Sequence, residues 1–243
     1  VQASEFRHQL GLEIARLAAV PTDALSTPIP HLEGWTVHSV LGHTGWVTRY
    51  VVNCVNASPD RAPSRASVGE PPVGADVVDW FVDGANAALE VLSNVDLDTM
   101  SPTWTGPQPT SWWLRRLTHE LAMHRWDCEA AITAPTPIDA QLAVDGMDEV
   151  LEVFAPNRLQ FDVLDSPDRT IHLHATDLEG GEWMIFLGQS ALTWERGHAK
   201  GDAVARGSAS DLLALMWGRL TPEDVEVFGD ETLLDQWQKA ARF

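Results

Sequence analysis

The chain has 243 residues, 44% of them hydrophobic, and a formal net charge of -19 at pH 7. That length allows one large domain or two modest ones, and that hydrophobic fraction argues against disorder as the default. A chain so acidic, with no basic run to offset it, is a poor partner for nucleic acid, and no stretch nears the roughly 18 apolar residues of a membrane span.

Residues 5–19 read as a helix, with Phe6, Leu10, Leu12, Ile14 and Leu17 recurring at near-helical spacing and Pro21 closing the segment. Thr27-Pro28-Ile29-Pro30 cannot be helical and is expected to run extended. A second helix opens at Gly34-Trp35-Thr36, with Thr36 as the expected N-cap, and runs to about residue 57. Residues 58–74, rich in Pro and Gly, read as a loop, and a third helix follows over residues 76–93. Pro102, Gly106, Pro107 and Pro109 predict another loop, after which Thr110 is expected to cap a fourth helix reaching to about residue 132. A shorter helix over residues 139–154 is expected to complete the first half, giving a bundle of amphipathic helices. The period then changes. Residues 169–175 alternate strictly, Glu179-Gly180-Gly181-Glu182 has hairpin-turn chemistry, and residues 183–187, 191–195 and 203–207 read as further strands. Residues 208–220 read as a helix, 225–228 as a strand and 233–241 as a last helix. The fold class expected is α+β: a helical bundle over residues 1–157 and a small α+β domain over residues 158–243, contributing no metal ligand.

Cys54 and Cys128 form no CxxC pair or disulfide framework, which fits a reducing, cytoplasmic setting. Val1-Gln2-Ala3-Ser4 carries no basic segment leading into an apolar one, so no signal peptide is expected. The chain has 11 Trp against one Tyr, and such rings suit cores and ligand walls.

The chemistry concentrates in the fourth helix. Glu120 and His124 stand four residues apart, on one helix face, where a carboxylate oxygen and an imidazole nitrogen can both reach a point about 2 Å from each. His119 is five residues from His124 and points elsewhere, so this is not the HExxH arrangement of zinc proteases. A lone Glu–His pair is more often a surface hydrogen bond. His43 on the second helix becomes a third donor only if the bundle brings it opposite the pair. His172 and His174 alternate on one strand face, but ordinary polar strand positions explain them as well.

Trp35-Thr36-Val37 through Gly42-His43, and His119-Glu120-Leu121-Ala122-Met123-His124-Arg125-Trp126-Asp127, resemble the two signatures of the mycothiol-dependent maleylpyruvate isomerase family, roughly W-[ST]-V-x-x-[LV]-x-x-H and H-E-x-x-x-H-R-x-D. That family, with many actinobacterial members, belongs to a wider superfamily of DinB-like metal-binding four-helix bundles. The second half is similar to the family's C-terminal domain through His172-Leu173-His174-Ala175-Thr176-Asp177, Trp183, Arg206-Gly207-Ser208 and Trp217-Gly218-Arg219. The resemblance implies that His43, Glu120 and His124 are ligands of a divalent metal, zinc being the usual ion, with mycothiol as cosubstrate. Nickel, cobalt or iron also suit such ligands.

Two neutral imidazoles and one carboxylate leave a divalent ion positively charged with open positions, the composition of a catalytic site. A thiol bound there ionises and can attack an electrophilic carbon. The expected activity is therefore a metal-dependent, thiol-using isomerase or S-transferase acting on a small electrophile. A zinc hydrolase and a non-catalytic metal or small-ligand carrier are the alternatives. Trp46 and Trp113 are the expected pocket walls, Asp127 is placed to orient a ligand, and Arg125 to steady an anionic substrate. Arg49, Arg115 and Arg116 read mostly as a solvated face, and Cys128 as a packing residue.

Overall fold

In a computed structural model, which describes residues 1–164 and 168–241, the chain divides into two compact units, Val1–Thr136 and Pro137–Phe243. The first is built on α1 (Ala3–Ala18), α2 (Val37–Val55), α3 (Asp76–Asn94) and α4 (Ser111–Ile132). Each of these helices packs against two others: α1 and α2 both contact α3 and α4. The expected apolar stripes supply the core. Phe6, Leu10, Ile14 and Leu17 are buried on α1, Val37, Val40, Leu41 and Val51 on α2, and Val77, Phe81, Ala85, Ala88 and Leu92 on α3. A fully buried side chain such as Leu10, Leu41 or Leu92 contributes about 1.5–3 kcal/mol. Between α2 and α3 the backbones come close at Gly45, where a Cβ would lie 2.6 Å from the Trp80 ring and 3.1 Å from the Phe81 Cα.

The start of α2 is held as the sequence predicts. Thr36 accepts a hydrogen bond from the Ser39 amide and donates its own amide to the Ser39 hydroxyl, a reciprocal cap that sets the rotation of everything downstream on the helix. Thr110 does not cap α4. Its backbone is already helical, and its hydroxyl donates to the Thr99 carbonyl at 2.8 Å and lies 2.7 Å from the Ser101 hydroxyl. Those contacts belong to an antiparallel hairpin, β1 (Met100–Thr103) and β2 (Gly106–Pro109), which the sequence reads as loop. Its three prolines hide it, yet a two-stranded ribbon is all edge and tolerates them.

Between Trp113 and Cys128, α4 buries every residue but Arg115 and Glu120, so its buried charged groups need partners inside the unit. Arg116 pairs with Glu120 at 2.8 Å, His124 with Asp127 at 2.9 Å, and Arg125 with Glu13 at 2.8 Å and Glu129 at 3.0 Å.

The helix expected to complete the bundle belongs instead to the second unit, so the boundary lies at Thr136/Pro137 and not at 157/158. α5 (Ala140–Glu149) packs against α7 (Ala209–Met216), the Ile138 amide donates to the Ser210 hydroxyl, and the Trp183 indole N–H donates to Asp148. A π-turn over Val150–Phe154 then leads into α6 (Ala155–Arg158). That wider turn lets the helix pass Pro156, which has no N–H to offer and whose ring would crowd a tight turn.

The second unit carries, among the described residues, a mixed sheet in the order β5-β4-β3-β6-β7: β3 (Arg169–Ala175), β4 (Glu182–Leu187), β5 (Leu192–Arg196), β6 (Ala203–Gly207) and β7 (Glu226–Gly229). β3 and β6 run parallel and the other pairs antiparallel. Ile171, Leu173, Ala175, Trp183, Ile185, Leu187, Ala203 and Ala205 are buried on one face, with α7 against β3 and β6. α7 stops at Met216, earlier than the sequence indicates, and α8 (Thr232–Ala240) ends the described chain, with Trp237 donating to the Met216 carbonyl.

Candidate metal centre

The reciprocal cap at Thr36 places His43 two turns into α2, on the side facing α4. Across from it, Glu120 and His124 share one face of α4 by their four-residue spacing. The two helices run antiparallel, because His43 meets Glu120 and His124 while Tyr50, further along α2, meets Trp113, earlier on α4. The convergence that sequence alone leaves open is present. Ligating atoms of His43, Glu120 and His124 all lie within 4.8 Å of one another. Glu120 Oε1 is 2.7 Å from His43 Nε2 and 3.5 Å from His124 Nε2.

The two oxygens of Glu120 are divided. Oε2 accepts a hydrogen bond from Arg116 at 2.8 Å, leaving Oε1 to the imidazoles. Burial pushes this carboxyl up, but the Arg116 guanidinium and hydrogen bonds with His124 and His43 outweigh it, and the group sits well below the usual carboxylate range. His124 is raised to about 9: burial works against its charge, but hydrogen bonds with Asp127 and Glu120 prevail. A positive charge is favoured at this point of the bundle. His124 Nδ1 lies 2.9 Å from Oδ2 of the fully buried Asp127, a contact that fixes the ring and leaves Nε2 toward the group.

The donor chemistry fits a divalent transition ion: two imidazole nitrogens and a carboxylate oxygen in reach of one point, one ring oriented by a buried carboxylate. His43, with 34% of its side chain exposed, opens the group to solvent, whereas His124 keeps 10%. Trp35 forms one wall, its ring lying parallel to His124 at 6.2 Å and edge-on to His43 at 5.3 Å.

Other expected site residues divide. Trp46 stacks on Tyr50 at 5.1 Å with the Arg65 guanidinium 4.8 Å above its ring, one turn along α2 from His43. Trp113 is 2% exposed, donates to the Pro102 carbonyl and packs edge-on to Trp104, Trp112 and Tyr50, so it is core rather than pocket wall. Arg125 is turned to other partners: its guanidinium binds Glu13, Glu129 and Thr136. His119 points away, edge-on to Phe6 of α1. Cys128 is buried, and burial pushes its thiol far above the ordinary range, in keeping with packing. Arg49 lies over Trp80. Two site residues stand apart from the sequence expectation: Arg116, expected on a solvated face, is buried and bound to Glu120, and Trp35, read only within the motif, walls the group. The signals were present: Arg116 precedes Glu120 by four residues, and Trp35 precedes the capping threonine.

The sequence matches the family description "Mycothiol maleylpyruvate isomerase N-terminal domain" over residues 8–129 and "MDMPI C-terminal domain" over residues 141–236. Two solved structures of mycothiol-dependent maleylpyruvate isomerase, one of them a histidine-to-alanine variant, share the fold. Each is 13% identical, with 93% of both chains covered and TM-scores of 0.65 and, for the variant, 0.60. No curated protein matches the chain at a significant level. No described helix is long and apolar enough to cross a membrane. With both halves matched in order and the fold shared along the chain, this protein belongs to the mycothiol-dependent maleylpyruvate isomerase family.

Proposed function

We propose that the chain is a metal-dependent isomerase that uses mycothiol to act on a small electrophilic substrate carrying a conjugated double bond, in the cytoplasm. The observation that carries this reading is the convergence of His43, Glu120 and His124 from two helices on one partly open point, in a chain of this family. His43, Glu120 and His124 would hold a divalent ion, zinc being the first choice, and such an ion would supply a position that lowers the pKa of a bound thiol toward neutral pH.

The chain's own residues prepare that position. Arg116 holds Glu120 Oε2 and offsets part of its negative charge, so the site as a whole stays more positive and favours an anionic thiolate. Asp127 fixes the His124 ring. Trp35 shields the imidazoles on one side, and His43 leaves an opening for small molecules. Trp46, with Arg65 above it, offers an aromatic and cationic surface further along α2. A water-activating hydrolase would want a general base. Asp127, the carboxylate that follows on the same helix, is fully buried and bonded to His124, which argues against that reading.

The test is incubation of the metal-loaded chain with mycothiol and maleylpyruvate, following isomers by chromatography and free thiol by titration. The trans isomer is expected to accumulate without net thiol loss, with activity falling at least about 100-fold in His43→Ala, as for loss of a group needed for the step. Thiol consumption in step with product would make the enzyme an S-transferase. Hydrolysis of esters or amides without any thiol requirement would overturn the thiol reading.

A further inference from the structure

The second unit holds a group of donors that the helical centre does not use. Alternation along β3 sends Ile171, Leu173 and Ala175 into the core and His172 and His174 to the opposite face. The β3–β4 register pairs His174 directly with Glu182 and His172 with Met184, so Glu182 stands on the same face as both histidines. The connection between β5 and β6 then brings in the fourth member. At Gly201 this segment lies so close to β3 that a Cβ would be 2.9 Å from the His172 amide nitrogen and 3.0 Å from its Cβ. A few residues earlier it carries His198. Glu182 Oε2 thereby becomes a common point for three rings: 3.0 Å from His172 Nε2, 3.6 Å from His174 Nδ1 and 2.6 Å from His198 Nδ1.

We propose that His172, His174, Glu182 and His198 form a second binding site for a divalent transition-metal ion, separate from the helical centre. Their four ligating atoms lie within 4.8 Å of one another, a spread that fits donors each about 2.0–2.2 Å from a single ion. Three imidazoles around one carboxylate oxygen exceed what an ion pair uses, whereas three nitrogens and one oxygen make a full tetrahedral set for zinc. Imidazole-rich donors select zinc, copper, nickel or iron over magnesium or calcium, which want oxygen. With four protein donors from β3, β4 and the β5–β6 connection, the ion would act as a clasp tying that connection to the sheet. The sequence reading places no ligand in this unit because only the sheet register and the close approach at Gly201 bring His198 and Glu182 to the two histidines.

Zinc is the probe, and the full chain is the sample. His43→Ala with His124→Ala removes two of the three helical donors, and zinc loading followed by desalting and elemental analysis then counts what remains. One zinc per chain is expected, falling to background when His174→Ala and His198→Ala are added. These last two sites are 30% and 71% exposed at the side chain, so the substitutions leave the buried His172 packing in place. Circular dichroism on each variant confirms that it is folded. Cobalt(II) gives a second readout: its visible absorption is expected in the His43→Ala/His124→Ala chain and absent from the four-site variant. The proposal is overturned if the His43→Ala/His124→Ala chain retains no zinc. It is equally overturned if that chain retains zinc that survives removal of His174 and His198.

Discussion

The helical centre depends on how few side chains divide the work among themselves. Glu120 gives one oxygen to Arg116 and the other to two imidazoles, and His124 gives one nitrogen to Asp127. Because Asp127 only orients His124, Asp127→Asn is expected to weaken metal affinity by about 10–100-fold while the ligand set stays intact. A chelator competition titration measures this, and unchanged affinity would reduce the His124–Asp127 contact to helix packing. The cysteines give a second check at this scale. Burial raises the Cys54 thiol to about 11 and pushes Cys128 higher still, so almost none of either is thiolate at pH 8. Neither is expected to react with iodoacetamide in the folded chain, and both are expected to react in denaturant. Rapid labelling of the native protein would mean that the bundle opens around them. Glu120 and His124 were legible in the sequence, since helical spacing alone puts them on one face. His43 was not settled by spacing, because its partners lie on another helix. Arg125 shows the same limit: a position next to His124 says nothing of its partner Glu13, far away on α1.

At the scale of elements, that arginine is a tie between helices. Its guanidinium joins α1 to α4 with 1% of the side chain exposed, and Glu13 is equally enclosed. Arg125→Ala would leave the buried Glu13 with only the half-exposed Arg16, 3.7 Å from its other oxygen, and a loss of about 3–5 kcal/mol in urea denaturation is expected. A small loss with a selective rise in KM would instead restore a substrate-binding role. The long helices could be read from sequence because their apolar stripes are regular, and the Thr36 cap because its chemistry is local. The β1–β2 hairpin escaped because its strands are short and rich in proline, and its stabilising contacts with Thr99 and Thr110 are not periodic. The fate of the helix after Pro137 also escaped. Its amphipathic pattern shows that it packs but not against what, and its partner proves to be α7, which follows it by several elements.

Taken whole, the molecule pairs a helical unit carrying His43, Glu120 and His124 with a sheet unit carrying its own cluster of histidines, in a family described by its use of mycothiol. In the proposed reaction the helical centre holds an ion to which a thiol binds as thiolate. The direct measurement is the near-ultraviolet spectrum of the cobalt(II)-loaded chain during titration with mycothiol. It is made on the His174→Ala/His198→Ala variant so that cobalt reports on the helical centre alone. A sulfur-to-cobalt charge-transfer band that grows to one mycothiol per cobalt, and is abolished by His43→Ala with His124→Ala, is the expected result. Cobalt bound at this centre with a spectrum unchanged by mycothiol would contradict the account.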